Sequence, residues 1–349
     1  MNLRKFLPLL LILLSVLSFS CRDNGGSPLG PGNPSSALDE AFSLAGQNAN
    51  LRCLIVYKDD HIIKEKYFHP GDSLAPHDVR SVTKSVMATL MGIAVDKGVI
   101  PSEDRAIGDY LRPMVDSLQP AKAGITIRDL LTMSSGLSGN DIPDTQEYNN
   151  WFNAPNQLAY TLNQSTLHQP GQVFGYNTGA AHLTSAILTR AGGTTTFQFA
   201  KQHLFQPLGI ADHSWGTDKQ GIYNGGAALC LTPYDMLKIG RLYLNKGVYN
   251  GVRVVSEAWI EKASTFRITT NGAQPFGPGY GYFWWVGSTA RHSYFFANGY
   301  GGQFIVVVPD LRFIVIATNT WSNVPANTAN QQWYDTLALI MNGIIPLYE

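Results

Sequence analysis

Ser81 and Lys84, within Asp78-Val79-Arg80-Ser81-Val82-Thr83-Lys84-Ser85, place a hydroxyl and an amine three residues apart. On a helix that spacing brings two side chains to about 5 to 6 Å at Cβ, within reach of a hydrogen bond. A serine hydroxyl is a poor nucleophile until a base takes its proton. A partly desolvated lysine at a helix N-terminus has its ammonium form disfavoured, which leaves neutral amine to act as that base. The Ser81 N–H, unpaired at the start of such a helix, would supply one oxyanion donor. The plain alternative is a capping serine followed by a solvated lysine, and S-x-x-K alone does not decide between them.

The elements around the pair can be read from periodicity. Val82, Val86, Leu90 and Ile93 repeat at helical spacing and Gly98 follows as a C-terminal cap, so Ser81 is expected in the first turn of a buried helix. Residues 51–57 and 61–68 are strand-like runs joined by Lys58-Asp59-Asp60, which predicts a hairpin. Strands are expected again across residues 280–318, and a closing helix over about residues 327–344 with Trp333, Leu337, Ile340 and Met341 on its buried side. Between about residues 107 and 224 the chain reads as helix and loop. The expected fold class is α/β (α+β): a mostly antiparallel sheet flanked by helices, with an inserted all-α subdomain.

The N-terminus reads as a targeting segment, with Arg4 and Lys5 ahead of an apolar run over residues 7–19 that is too short for a transmembrane helix. Residues 1–20 are expected to be a signal peptide. Leu17-Ser18-Phe19-Ser20-Cys21 resembles a relaxed bacterial lipoprotein box with Cys21 lipidated; Ser18 departs from the strict box, and ordinary cleavage with secretion is the alternative. Either way the mature protein is expected outside the cytoplasm, attached to a membrane if Cys21 carries lipid. Residues 22–36, rich in Gly, Pro, Ser and Asn, would then be a tether. The catalytic domain is expected over residues 37–349, its α/β part at about 37–105 and 226–349 and its helical subdomain at about 106–225. Cys53 and Cys230 sit in apolar strings and read as buried thiols, although an oxidising compartment permits a bridge.

The motifs beyond Ser81 carry a family resemblance. The segments Val99-Ile100-Pro101, Asp109-Tyr110-Leu111 and Ile125-Thr126-Ile127-Arg128-Asp129-Leu130-Leu131-Thr132-Met133-Ser134-Ser135-Gly136-Leu137 follow S-x-x-K in order. Further on come Pro170-Gly171-Gln172-Val173-Phe174-Gly175-Tyr176, Leu231-Thr232-Pro233-Tyr234-Asp235 and Gly279-Tyr280-Gly281-Tyr282-Phe283-Trp284-Trp285. This order resembles the serine hydrolases that include class C β-lactamases, D-alanyl-D-alanine carboxypeptidases, certain esterases and 6-aminohexanoate-oligomer hydrolases. The resemblance implies a β-lactamase/transpeptidase-like fold and an acyl-enzyme on Ser81 with Lys84. It implies Tyr176 as general base and acid, and leaves the division of that work with Lys84 open. In the third position of the tyrosine motif, Asn177 and Thr178 leave the register open; Thr178 is the choice for a supporting role. By position, Gly299 would let backbone approach closely and the Tyr300 N–H would be the second oxyanion donor.

One departure bears on substrate. Where β-lactamases and carboxypeptidases place a cation for an anionic substrate group, this chain has Ala297. Its A-x-G-x-x-G-Q form is more like the esterase and 6-aminohexanoate-dimer hydrolase side of the family. The expected substrate is a small ester or amide. The alternatives are a β-lactamase or carboxypeptidase acting on cell-wall-related substrates, and an inert binding protein on the same fold. Trp151, Phe152, Tyr280, Phe283, Trp284, Trp285 and Tyr300 are candidates to line an apolar pocket. The 25 acidic and 25 basic residues balance, with no basic run, so a nucleic-acid partner is not expected. No cofactor is expected, and the scattered histidines give no metal site. Asp212-His213-Ser214 has triad residue types in adjacent positions and reads as a turn.

Overall fold

The computed structural model describes residues 34–115, 118–139, 141 and 145–349. Residues 1–33, with the expected signal peptide, Cys21 and most of the expected tether, lie outside the described residues; residues 34–36, expected as the end of the tether, instead open the helix Pro34–Ala45, which packs Leu38 and Phe42 into the core. An eight-stranded antiparallel sheet forms the centre. Its strands are β1 (Leu51–Lys58), β2 (His61–Tyr67), β3 (Ile268–Thr269), β4 (Gly279–Tyr280), β5 (Trp285–Ser288), β6 (Ser293–Gly299), β7 (Gln303–Val308) and β8 (Phe313–Asn319), in the order β2-β1-β8-β7-β6-β5-β4-β3.

The β1–β2 hairpin turns at Asp59 and Asp60, whose φ values of 48° and 68° give the left-handed pair that suits a two-residue turn. Aspartate tolerates that backbone because its short side chain bonds locally. Every residue of β7 and β8 is buried, which is why both read as apolar runs without alternation. Helices cover the two faces. Phe304 of β7 meets Trp333 of the helix Ala326–Ala338, whereas its neighbour Ile305 faces Gly240 of the helix Pro233–Leu244. A Cβ on Gly240 would lie 3.0 Å from Ile314 and 3.2 Å from Ile305, so the absent side chain sets how closely that helix sits on the sheet. The helix Val82–Asp96 lies beside it, with Thr89 and Tyr243 sharing a 3.0 Å hydroxyl contact.

Between Gly108 and Leu208 the described elements are all helical, apart from isolated bridges. Two segments there are built on each other. Thr126 and Asp129 form a reciprocal capping box that starts the helix Ile127–Leu131. The chain after that helix then pairs with the approach to Tyr176: the Gly175 N–H donates to the Met133 carbonyl (2.7 Å) and the Gly171 N–H to that of Ser134 (2.8 Å). A Cβ on Gly136, where φ is 75°, would stand 2.1 Å from the His168 carbonyl oxygen. The two motif segments are therefore one packed unit that sets the height of Tyr176. The closing helix runs over Ala326–Ala338 and continues as wider turns to Ile344, with Leu337, Ile340 and Met341 buried and Trp333 partly so.

Candidate active site

Ser81 stands one residue ahead of the helix Val82–Asp96, as its cap. Arg80 before it has φ of 52°, left-handed backbone that a long side chain rarely adopts. That turn swings the chain from the short strand His77–Asp78 into the helix. It is held by Asp78 Oδ1, which accepts from the Arg80 N–H at 2.8 Å, and by Thr83 Oγ1, which donates to the Arg80 carbonyl at 2.6 Å. Ser81 Oγ makes no capping hydrogen bond, so the capping-serine alternative does not describe it.

Lys84 is not solvated either: it is 1% exposed. Its Nζ has three oxygen partners, Ser81 Oγ at 2.9 Å, Thr178 Oγ1 at 3.0 Å and the Gly226 carbonyl at 2.8 Å. Burial pushes the ammonium down to about 7; the Asp141 charge pulls it back up and the Arg80 charge pushes it down. A neutral amine has two N–H donors and one lone pair. Gly226 can only accept, so with the amine neutral and donating to Gly226 and Thr178, the lone pair is left for the Ser81 hydroxyl proton. Gly226 must be glycine for this: a Cβ there would lie 2.4 Å from Thr178 Cγ2 and 3.5 Å from Nζ.

Tyr176 is buried, lies 5.7 Å from Trp285 in a stack, and presents its ring 4.9 Å from Lys84 Nζ. Burial pushes its phenol well above the ordinary range, opposed by a hydrogen bond with Ser81. Burial therefore keeps the proton on Tyr176, beside the Ser81 hydroxyl. Thr178 opens the helix Thr178–Gly192 and touches Lys84, whereas Asn177 caps that helix, its Oδ1 accepting from the Ala180 N–H at 2.8 Å. A Cβ on Gly299 would stand 2.4 Å from the Val79 carbonyl oxygen, so the close approach at Gly299 is to the strand leading into Ser81. The contact falls two residues ahead of Ser81 in the chain. Ala297 is a fully buried methyl.

Of the aromatic candidates, Trp285 backs Tyr176, and Tyr280 packs at 4.9 Å from Trp285. Phe283 and Trp284 are core; the Phe283 carbonyl accepts from Ser85 Oγ. His213 pairs with Asp235 at the start of the helix Pro233–Leu244. Cys53 and Cys230 are free thiols. Among the described residues no group of three or more His, Cys, Asp or Glu could hold a metal ion.

Two charged groups at the site were not singled out from sequence. The Arg80 guanidinium lies 4.4 Å from the Trp321 ring and donates to the Tyr148 hydroxyl at 3.1 Å. Asp141 Oδ2 accepts from the Thr178 N–H at 2.7 Å. Arg80 was adjacent to Ser81 and open to notice; Asp141 sits in no motif, and only folding brings it to Lys84.

Comparison with known proteins agrees with this architecture. The family model described as Beta-lactamase matches residues 52–338. A 6-aminohexanoate-dimer hydrolase from Paenarthrobacter ureafaciens is 23% identical over 300 residues, 76% of this chain and 72% of that protein. Among solved structures, a penicillin binding protein from Bacillus halodurans superposes with a TM-score of 0.65 at 17% identity, covering 88% of this chain and 99% of that one. EstCE1, a hydrolase with promiscuous acyltransferase activity, superposes at 0.67 with 16% identity, covering 87% and 98%. At such identities the structures speak for the fold alone, whereas the family match spans most of the chain. The chain belongs to the Beta-lactamase family, as a hydrolase of the β-lactamase fold.

Proposed function

We propose that this protein cleaves a carboxylic ester or amide through an acyl-enzyme on Ser81. The observation that carries the reading is the buried Lys84 amine, whose lone pair falls to the Ser81 hydroxyl once its two donors are engaged. Lys84 takes the Ser81 proton as the serine oxygen bonds the substrate carbonyl carbon, and the carbonyl π pair moves onto oxygen. The N–H groups of Ser81 and Tyr300 meet that oxyanion. On collapse the bond to the leaving group breaks, the leaving atom takes the Tyr176 proton, and Lys84 restores that proton by way of water. Water then attacks the acyl-enzyme by the same route in reverse.

Esters are favoured because an alkoxide leaves with less help than an amine. Ala297 in place of a cation weighs against substrates recognised by a carboxylate, as in β-lactams and cell-wall peptides. The relative named for the 6-aminohexanoate dimer makes a small linear amide the second substrate class. The same reading includes export, with a lipid on Cys21 holding the enzyme at a membrane.

The test compares a short-chain p-nitrophenyl ester with a chromogenic cephalosporin, using the protein from Arg22 onward and its Ser81→Ala variant. Ester turnover that disappears in the variant, together with a mass increase of one acyl group on Ser81 in the quenched wild type, is the expected result. Fast cephalosporin cleavage would overturn the weight placed on Ala297, and Ser81-independent turnover would overturn the mechanism.

A further inference from the structure

Thr178 faces two groups of the site with different atoms. Its Oγ1 accepts from Lys84 Nζ at 3.0 Å. Its backbone N–H donates to Asp141 Oδ2 at 2.7 Å, and the Asp141 N–H in turn donates to the Tyr176 carbonyl at 2.7 Å. Thr178 therefore holds the Lys84 amine with its side chain and the Asp141 carboxylate with its backbone, and Asp141 is fastened at two points to the segment that carries Tyr176 and Thr178.

We propose that Asp141 is a positioning carboxylate for the Ser81–Lys84 pair, acting through Thr178 to meet the charge that Lys84 acquires when it takes the Ser81 proton. This deepens the hydrolase reading and rests on it. The proton leaves Ser81 and stays on Lys84; Thr178 and Asp141 move none, and no electron pair passes through them. Their effect is that the ammonium formed during attack finds a fixed anion and an oriented acceptor already in place, at a buried position where water cannot rearrange to supply them. The groups facing this pair are Arg80, Tyr148, Tyr176 and Glu147. Arg80 opposes the Lys84 charge and Glu147 opposes the Asp141 charge, so Asp141 is the anion that acts on Lys84 with attraction. Burial raises the Asp141 carboxyl, and the hydrogen bonds from Thr178 together with the Lys84 charge counter that rise.

Asp141→Asn keeps an acceptor for the Thr178 N–H and removes the charge. With the anion gone, the Lys84 ammonium is less favoured and titrates lower. The lysine ε-carbon resonance of Lys84, assigned with Lys84→Arg and followed by NMR against pH, reads this directly and needs no turnover. A fall of about one unit in Asp141→Asn is expected. Ser81 acylation by p-nitrophenyl acetate is expected to slow roughly ten- to a hundredfold, with its acid limb moved to lower pH by the same amount. Thr178→Val is expected to reproduce the slowing, Thr178→Ser to restore it, and the double variant Asp141→Asn with Thr178→Val to be no slower than the worse single one. A Lys84 titration unmoved in Asp141→Asn, or independent additive losses in the double variant, would overturn the inference. Absence of Ser81 acylation in wild type would instead overturn the hydrolase reading, which the NMR titration distinguishes.

Discussion

At the scale of single residues, the division of labour between Lys84 and Tyr176 follows from burial acting on opposite charge types. Desolvation disfavours an ammonium and a phenolate alike, so it moves Lys84 toward its neutral base form and Tyr176 toward its neutral acid form. The value of about 7 for Lys84 predicts that acylation rises as pH increases through that region, because protonated Lys84 has no lone pair for the serine proton. Lys84→Arg keeps the positive charge but cannot deprotonate. It is expected to lose acylation by roughly a hundredfold to ten-thousandfold. Were Tyr176 the base, the retained cation would support its phenolate and the variant would keep substantial activity, so pre-steady-state acylation rates of this variant decide the assignment. Ser81 and Lys84 were legible from residue types and spacing, and Tyr176 and Thr178 through the family resemblance, with the register between Asn177 and Thr178 left open. Asp141 was not, because a carboxylate 57 positions along the chain from Lys84 announces itself only through a fold that sets it on the Thr178 N–H.

At the scale of elements, the motif glycines are contact points between segments distant in sequence. Gly136 seats the approach to Tyr176, Gly226 lets a carbonyl reach Lys84, and Gly299 seats the end of β6 against Val79. Gly299→Ala would place a methyl 2.4 Å from the Val79 oxygen and 2.8 Å from Gln303 Cβ, overlaps that only backbone movement relieves. The expected result is a fall in Tm and a larger proportional fall in kcat, since the displaced backbone carries the Tyr300 N–H. Gly192→Ala is the control: its Cβ would meet Phe199 at 3.7 Å, an ordinary contact on a helix, and it is expected to be neutral or stabilising by up to about 1 kcal/mol. Equal loss of kcat in both variants would show that Gly299 has no special relation to the site. The hairpin, the buried helix after Ser81 and the late strands were legible because apolar periodicity and turn residues report them. Ile268–Thr269 lies ahead of the expected strands, which began at residue 280, and its partner Gly279–Tyr280 stands at their edge, since two-residue strands carry no periodicity. Ser81 as cap in place of first turn follows from the left-handed Arg80, a conformation that no residue-type rule assigns to arginine.

At the scale of the whole molecule, the question is where this site works. Among the described residues no helix is long and apolar enough to cross a membrane. Attachment, in the reading proposed here, falls to Cys21 and to a tether of Gly, Pro, Ser and Asn. One acyl chain gives marginal membrane binding, whereas a diacylglyceryl thioether brings two and holds stably. The full chain expressed in a bacterium with labelled palmitate is therefore expected to carry label and to sediment with membranes. Cys21→Ser is expected to lose the label and move to the soluble exported fraction with unchanged ester turnover, because the substitution lies far in sequence from Ser81, Lys84 and Tyr176. Label retained in Cys21→Ser would place the lipid elsewhere, and an unlabelled, soluble wild type cleaved ahead of residue 21 or nearby would establish simple secretion. The two described thiols differ in access: Cys53 is fully buried and Cys230 half-buried, and burial pushes both thiols up, so in an exported protein oxidation is expected at Cys230 before Cys53.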